Sequence, residues 1–227
     1  MQESLGLNAV PYPENVKAWW ITIGLVGLGA LYFWSQRRGI SLAEQVGHLP
    51  SADGIFVVAD GAVVRKIAGE AGSEEPEYKE FVARTGFDYR RDLDRVVAVI
   101  GETHGYYVVS GRFDWGKIAA YAGNCVKGLC SMPASQAGKW ISLMQLGNGS
   151  IAIAVSPNQL AVGEMEAVRK PVVEFADVPF LVRGKGRHFA RWGLSGEETV
   201  EAKLNGDAIE IKAGNVARRL PLGKIFE

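Results

Sequence analysis

The chain is poor in the side chains that hold metals and covalent cofactors, with two cysteines and three histidines in 227 residues. Zinc would need further Cys or His ligands at suitable spacing, and covalently attached haem would need a C-x-x-C-H motif. Cys125 and Cys130 stand in a C-x4-C arrangement, and His48, His104 and His188 are isolated from one another. The sequence therefore predicts no metal site and no cofactor of the chain's own.

The two cysteines leave two states open. If they lie in the cytoplasm, two reduced thiols are favoured, because that compartment keeps thiols reduced. If they lie on the other side of a membrane, Cys125 and Cys130 are expected to form a small disulfide loop across a turn.

Known catalytic motifs are also missing. Ser195 has Gly193 two residues before it but lacks the second glycine and the strand–turn–helix setting of a G-x-S-x-G elbow. The segment 184–186 (GKG) lacks the remaining glycines of a dinucleotide-binding loop. Three aspartates lie close together in the sequence, at Asp88, Asp92 and Asp94. Arginines interleave with them, which favours a charge-neutralised turn over an acid/base or metal site.

The chain has no excess of one charge, because it contains 25 basic and 25 acidic residues. This balance argues against a dedicated nucleic-acid binder, and no small-molecule substrate is indicated. One segment is locally basic and is the best binding candidate in the sequence. Its members are Arg183, Lys185, Arg187 and Arg191, with Trp192 alongside. Anionic lipid or an acidic protein surface would suit it, and the alternative is a solvated loop.

Charged residues are absent from one long stretch, residues 18–34 (AWWITIGLVGLGALYFW). At about 1.5 Å per residue, this run spans roughly 26 Å as a helix, close to the thickness of a bilayer core. Aromatic side chains mark both ends, where they suit the membrane interfaces. They are Trp19, Trp20, Tyr32, Phe33 and Trp34, and the anchor continues into Arg37 and Arg38. We predict an uncleaved single-pass helix.

A buried core helix and a cleaved signal peptide both fit this stretch less well. A buried core helix would not need aromatic ends and an arginine pair. A cleaved signal peptide would have a basic start and small residues at its cleavage site. One basic residue, Lys17, precedes the run and Arg37 and Arg38 follow it directly. The positive-inside rule therefore predicts, by a margin of one charge, that the C-terminal domain is cytoplasmic.

The predicted helix presents small residues on one face. Gly24 and Gly27 fall on the same side at helical spacing, and small residues let another helix or a flat ligand approach closely. We expect this face to pack against integral membrane subunits, with peripheral contact to lipid or pigment.

The rest of the chain alternates between strand and helix patterns. Strands are predicted at 55–59, 96–100, 106–110, 139–146 and 150–155, and helices at about 61–69, 75–85, 115–122 and 157–169. A further hairpin is predicted over 199–212. We expect an α+β fold, with an antiparallel sheet covered by helices on one face. The predicted organisation is a tail (1–17), the membrane helix (18–34), a linker (35–53), an α+β domain (54–170) and a C-terminal β extension (171–227).

Several turns resemble those of membrane-anchored bacterial α+β proteins of unassigned function. The matching motifs are TGFD at 85–88, RDLD at 91–94 and GRFD at 111–114, and the likeness covers roughly residues 50–170. Because these motifs are turns and helix caps, the resemblance implies a fold and an anchored location in a bacterial inner membrane but no activity.

Together these features predict a non-catalytic accessory or structural subunit of a larger membrane protein complex. We suggest a type I photosynthetic reaction centre of anoxygenic bacteria as the host complex. Other respiratory or transport complexes are alternative hosts. The alternatives are a free-standing membrane-tethered binding or scaffold domain, and an enzyme with an unrecognised site.

Overall fold

The computed structural model describes residues 40–68, 75–147, 149–168, 178–192 and 196–221. The tail, the predicted membrane helix and Arg37 and Arg38 lie outside these residues. Among the described residues, none of the helices has the length and apolar character needed to cross a membrane.

The described residues form a single eleven-stranded antiparallel sheet with five short α-helices and two 3-10 helices. The strands are β1 Ile55–Asp60, β2 Leu93–Ile100, β3 Gly105–Gly111, β4 Asn124–Val126, β5 Leu129–Pro133, β6 Trp140–Gly147, β7 Ser150–Ser156, β8 Phe180–Lys185, β9 Thr199–Asn205, β10 Ala208–Ala213 and β11 Val216–Pro221. Their order across the sheet is β11-β10-β9-β8-β1-β2-β3-β7-β6-β5-β4. The α+β class and the antiparallel sheet predicted from the sequence are confirmed.

The helices are short and lie mostly in the first half of the described chain. They are α1 Leu42–Gly47, α2 Gly61–Ala68, α3 Pro76–Thr85, α4 Tyr89–Asp92 and α5 Trp115–Ala122. The 3-10 helices span Ala161–Met165 and Gly186–Trp192. The helices predicted at 61–69, 75–85 and 115–122 are confirmed, and Asp114 caps α5 by accepting a hydrogen bond from the Lys117 amide at 3.2 Å.

The largest core lies on one face of the sheet, under α1 and the 3-10 helix 161–165. Strand residues that alternate along the chain point to this face, because successive side chains of a strand point to opposite sides. Phe56 and Val58 of β1 lie here beside Val97 of β2. Met165, fully buried, closes the cluster from the 3-10 helix.

The opposite face carries two smaller cores, so the prediction that helices cover only one face is wrong. Val63 of α2 packs with Ala59 and Ile209 in one of them. Ile118 of α5 packs with Leu143 and Ile151 in the other. The physical reason is that the central strands are apolar on both sides, so each face needs its own cover.

Residues 42–47 form α1, although the sequence pattern predicted a linker there. Ser41 caps this helix by accepting a hydrogen bond from the Glu44 amide at 3.2 Å. Leu42 and Val46 are buried in the large core. Six residues are too few for a helical period to stand out in the sequence.

The helix predicted for 157–169 is also wrong in kind and extent, since a 3-10 helix over Ala161–Met165 takes its place. Residues 156–160, at the expected start of that helix, form two tight turns instead. The Asn158 amide donates to Ser156 Oγ at 3.1 Å, and the Leu160 amide donates to Asn158 Oδ1 at 3.0 Å.

The C-terminal strands belong to the same sheet as the rest. β8 pairs with β1 along Phe56–Ala59, and β9, β10 and β11 follow outward. The predicted hairpin over 199–212 is confirmed as β9–β10.

Candidate functional site

The basic segment 183–192 begins on β8, where its first cation is paired within the sheet. Arg183 stands directly opposite Glu201 of β9, and its guanidinium donates to the Glu201 carboxylate. Lys203 contacts the same carboxylate at 2.7 Å. Hydrogen bonds from Lys203 and Arg183 hold the pKa of Glu201 below its usual range against the opposing effect of burial.

Further along, the segment is tied to two distant parts of the chain. Arg187 donates to Asp53 at 2.8 Å and also pairs with Glu197. His188, whose side chain is 9% exposed, lies 3.2 Å from the same Asp53 carboxylate. The hydrogen bond from Arg187 is the largest of the effects that lower the pKa of Asp53.

Two further hydrogen bonds, one from the backbone of Arg187 and one from the side chain of Lys185, hold the basic segment against residues 196–197. The amide of Arg187 donates to the Gly196 carbonyl at 2.9 Å, and Lys185 Nζ donates to the Glu197 carbonyl at 3.1 Å. The side chains of Arg191 and Trp192 lie outside the described part of the structure. The charges of Arg183 and Arg187 are thus matched within the chain, and a lipid- or partner-binding role for the segment stays a prediction.

Sequence reasoning missed these ion pairs because their acids lie outside the segment, and one of them, Asp53, is remote in the sequence. The segment contains no acid of its own, which made it look like an uncompensated patch. Asp53 lies more than a hundred residues earlier in the chain, and only the β8–β1 pairing brings it close. A long-range strand pairing leaves no local signal in the sequence.

The aspartate-rich turn is a structural cluster in which each described contact neutralises charge or caps a helix. Asp92, with a side chain 7% exposed, contacts Arg91 at 2.7 Å and Arg112 at 3.0 Å. It also accepts the Asp88 amide at 3.0 Å. The hydrogen bond from Arg91 is the largest cause that lowers the pKa of Asp92. The interpretation of this stretch as a neutralised turn is confirmed for Asp88, which pairs with Arg90, and for Asp92.

Tyr78 of α3 joins this cluster from the side. Its hydroxyl donates to Asp88 Oδ1 at 2.7 Å and accepts the Tyr89 amide at 3.2 Å. Burial first, and then the hydrogen bond to Asp88, raise the pKa of Tyr78 to about 12. The hydroxyl therefore stays protonated at neutral pH and acts as a fixed donor, not as a general base.

The histidines lie apart from one another in the fold. His48 is buried, with Nδ1 2.8 Å from the Met165 carbonyl, which ties α1 to the 3-10 helix. His104 packs its ring against Tyr106, with 5.4 Å between ring centroids, and is half-buried. Within the described ranges, no group of three or more His, Cys, Asp or Glu residues is arranged to hold a metal ion.

Cys125 and Cys130 face each other on β4 and β5 and form a disulfide. The sequence favoured reduced thiols because the basic flank of the hydrophobic run placed the domain in the cytoplasm. A disulfide was expected only for the opposite orientation, with the domain outside the cytoplasm. The structure contains that bond. Gly24, Gly27 and the aromatic residues of the predicted anchor lie outside the described residues, so their roles stay predictions.

An open depression lies at the start of β9. Its lining comprises Glu198, Thr199, Glu201, Lys212, Gly214 and Asn215. The mixture of two acids and a lysine on a solvent-facing surface gives it no preference for an anionic or a cationic ligand.

No protein family and no curated protein matches the sequence. Among solved structures, crystal form III of TP0453 aligns with a TM-score of 0.48 and 9% identity, over 78% of this chain and 82% of that one. Crystal form I of TP0453 aligns with a TM-score of 0.48 and 8% identity over the same shares. Likeness at this level carries no information about function.

Proposed function

We propose that this chain is a non-catalytic, membrane-tethered accessory subunit that docks onto a larger membrane protein complex through the open edge of β11. The hydrophobic run 18–34 supports the tether. The turn and cap motifs that resemble anchored bacterial proteins support a bacterial membrane. The observation that carries the docking role is the exposure of β11, which is the last strand of the described sheet on its side.

The turn before β11 determines which of its backbone groups point outward. Gly214 and Asn215 form a two-residue turn between the paired residues Ala213 and Val216. Such a turn closes with a hydrogen-bonded pair, and hydrogen-bonded pairs then alternate along an antiparallel ladder. Val216 and Arg218 therefore bond inward to β10. The amides of Ala217 and Arg219 point away from the sheet.

The charge on this strand favours one kind of partner. Arg218 and Arg219 are both exposed, as is Ala217 before them. A second copy of β11 would bring arginines against arginines, which is unfavourable for directly opposed strands. An extended acidic segment of another protein would pair its backbone with Ala217 and Arg219 and its carboxylates with the arginines.

Proline substitution tests this edge, because proline removes an amide donor and is tolerated in an edge strand where that donor faces outward. We expect Ala217→Pro and Arg219→Pro to leave β10–β11 pairing intact and to release the chain from its complex. Ala217→Ser keeps the donor and serves as the matched control. The measurement is migration of the gently solubilised protein on a native gel, with the full chain in its own membrane.

Three outcomes separate the alternatives. Comigration of the parent and of Ala217→Ser with a large assembly, together with loss of comigration for the proline variants, supports the proposal. Proline variants that stay in the assembly would contradict docking through β11 and would leave the Gly24 and Gly27 face of the membrane helix as the proposed contact. A parent chain that migrates alone would favour a free-standing tethered scaffold domain instead.

The host complex is a narrower part of the proposal. We retain a type I photosynthetic reaction centre as the first assembly to examine, with Gly24 and Gly27 as the helix face that would pack against its integral subunits. Detection of the chain in purified reaction centres, and its loss on Gly24→Leu with membrane insertion unchanged, is the expected result.

A further inference from the structure

The hairpin β4–β5 sets the two cysteines face to face. Val126 pairs with Leu129, and Lys127 and Gly128 between them both have positive φ, at 51° and 83°. This two-residue turn closes with a hydrogen-bonded pair, so the next pair is a non-hydrogen-bonded one, where side chains of neighbouring strands come closest. That next pair is Cys125 and Cys130, with Cα atoms 4.0 Å apart.

Little else in the described structure fastens β4 to the sheet. The strand has three residues, and all three are exposed. Its turn places Lys127 in the left-handed region, which is unfavourable for a residue with a side chain. Cys130, in contrast, is 1% exposed and packs with Ile118 and Leu143. The disulfide therefore ties an exposed edge strand to a buried core.

We infer that the Cys125–Cys130 bond is formed in the cell and that the described domain lies in an oxidising compartment, outside the cytoplasm. Disulfides persist in such compartments, whereas cytosolic reductants keep thiols reduced. The register of this hairpin places two sulfurs in contact, and its outer strand has few other contacts. Such a hairpin is suited to an oxidising compartment.

The oxidation is a thiol–disulfide exchange with a protein disulfide oxidant of that compartment. One cysteine thiolate attacks the oxidant's disulfide and forms a mixed disulfide. The second cysteine then displaces the oxidant and closes the bond within this chain. The chain loses two S–H bonds and two electrons, and the oxidant leaves as a dithiol.

This orientation is opposite to the one predicted from the basic residues that flank the hydrophobic run. That prediction depended on Lys17 against Arg37 and Arg38, a margin of one charge, and the disulfide is an independent observation. The inference holds whether or not β11 docks onto a partner. If both proposals are correct, the acidic segment that pairs with β11 lies on the non-cytoplasmic side of the membrane.

The first experiment measures the thiols of the full chain in intact cells. Cells are quenched with acid, denatured and treated with a polyethylene-glycol maleimide, with or without prior reduction. We expect no gel shift before reduction and a shift by two labels after it. Cys125→Ser, analysed in the same way, should carry one label without reduction, which shows that the reagent reaches a free thiol.

The second experiment measures the side of the membrane without using the bond. In Cys130→Ser the remaining Cys125 is exposed, and in Cys125→Ser the remaining Cys130 is buried. We expect a membrane-impermeant maleimide to label Cys125 in intact spheroplasts as fully as after lysis, and to label Cys130 only after denaturation. Free thiols in the parent chain, or labelling of Cys125 only after lysis, would overturn the inference.

Discussion

Asp92 is the residue on which the turn between α3 and β2 depends most. Its carboxylate is nearly buried, yet its two arginine partners are largely exposed, with side chains 65% accessible. Water therefore screens the arginines more than the carboxylate, and the stabilisation resides mainly in hydrogen bonds to the charged oxygen.

We expect Asp92→Asn to lower the free energy of unfolding by about 2 kcal/mol, within the range for hydrogen bonds to charged groups. Asp94→Asn, two residues away and exposed, is the matched control and should change it by less than about 0.5 kcal/mol. Chemical denaturation of the detergent-solubilised chain measures both, and equal effects would contradict a special role for Asp92.

The same substitution has a pH dependence with a definite sign. Because the pKa of Asp92 is lowered in the folded protein, its stabilisation is present above the unfolded pKa of about 3.9. It is lost as the pH falls through the lower folded pKa. The difference in stability between the parent and Asp92→Asn should therefore be constant near neutral pH and shrink below about pH 4.

Tyr78 should titrate late. We expect one tyrosine absorbance change to have its midpoint at about 12, against about 10 for an ordinary tyrosine, and Tyr78→Phe should abolish that late component. A raised folded pKa stabilises the protein below the unfolded pKa, and this contribution is lost as the pH rises from about 10 through the folded value. An unchanged titration in Tyr78→Phe would show that the late component does not come from Tyr78.

At the scale of elements, α1 packs Leu42 and Val46 into the large core. It is only six residues long, so its stability comes from packing and not from helix propensity. Gln45 donates to Ser110 Oγ at 3.1 Å, in addition to the His48 contact with Met165. These contacts fix where the predicted linker ends.

We expect Leu42→Ala to lower the free energy of unfolding by about 2–3 kcal/mol, since a buried leucine leaves a cavity that a short helix only partly fills by moving. Glu44→Ala on the exposed side of α1 should have an effect below about 0.5 kcal/mol. Urea denaturation of the two variants makes the comparison, and a small effect for Leu42→Ala would mean that α1 is not part of the cooperative core.

Elements with a local signal could be predicted from the sequence, and those defined by distant contacts could not. The hairpin around 147–149 and the helix after Asp114 were found because their turn and cap residues are adjacent in the chain. The β4–β5 hairpin was missed because Lys127 is not a residue expected at positive φ. The ion pairs of Arg187 were missed because their acids come from other parts of the fold.

At the scale of the whole molecule, the sheet is not assembled in chain order. β1 lies between β2, its neighbour in sequence, and β8, which follows it by about 120 residues. Strands from the first and second halves of the described chain therefore pair with each other, and the two halves are not separate folding units. Such long-range pairing is also the feature that slows folding.

We expect a chain that ends at residue 178 to lose the cooperative unfolding transition, because β1 would keep an open edge and Ala59 would lose its contact with Phe180. A chain that ends at residue 214 lacks only β11 of the described strands and should remain folded. Limited proteolysis and hydrogen exchange distinguish the two, and equal protection of β1 in both would contradict this dependence.

Because β1 pairs with β8, which is made much later, β1 must wait for this partner during synthesis. At about 5–20 residues per second, the ribosome needs roughly 6–24 s to make the residues between β1 and β8. Throughout that interval β1 has no strand on one side, and Ala59 lacks the contact with Phe180 that completes one of the smaller cores. A chain destined for the far side of a membrane would be threaded across in this unfinished state, so its yield should depend on chaperones that hold it open until β8 emerges.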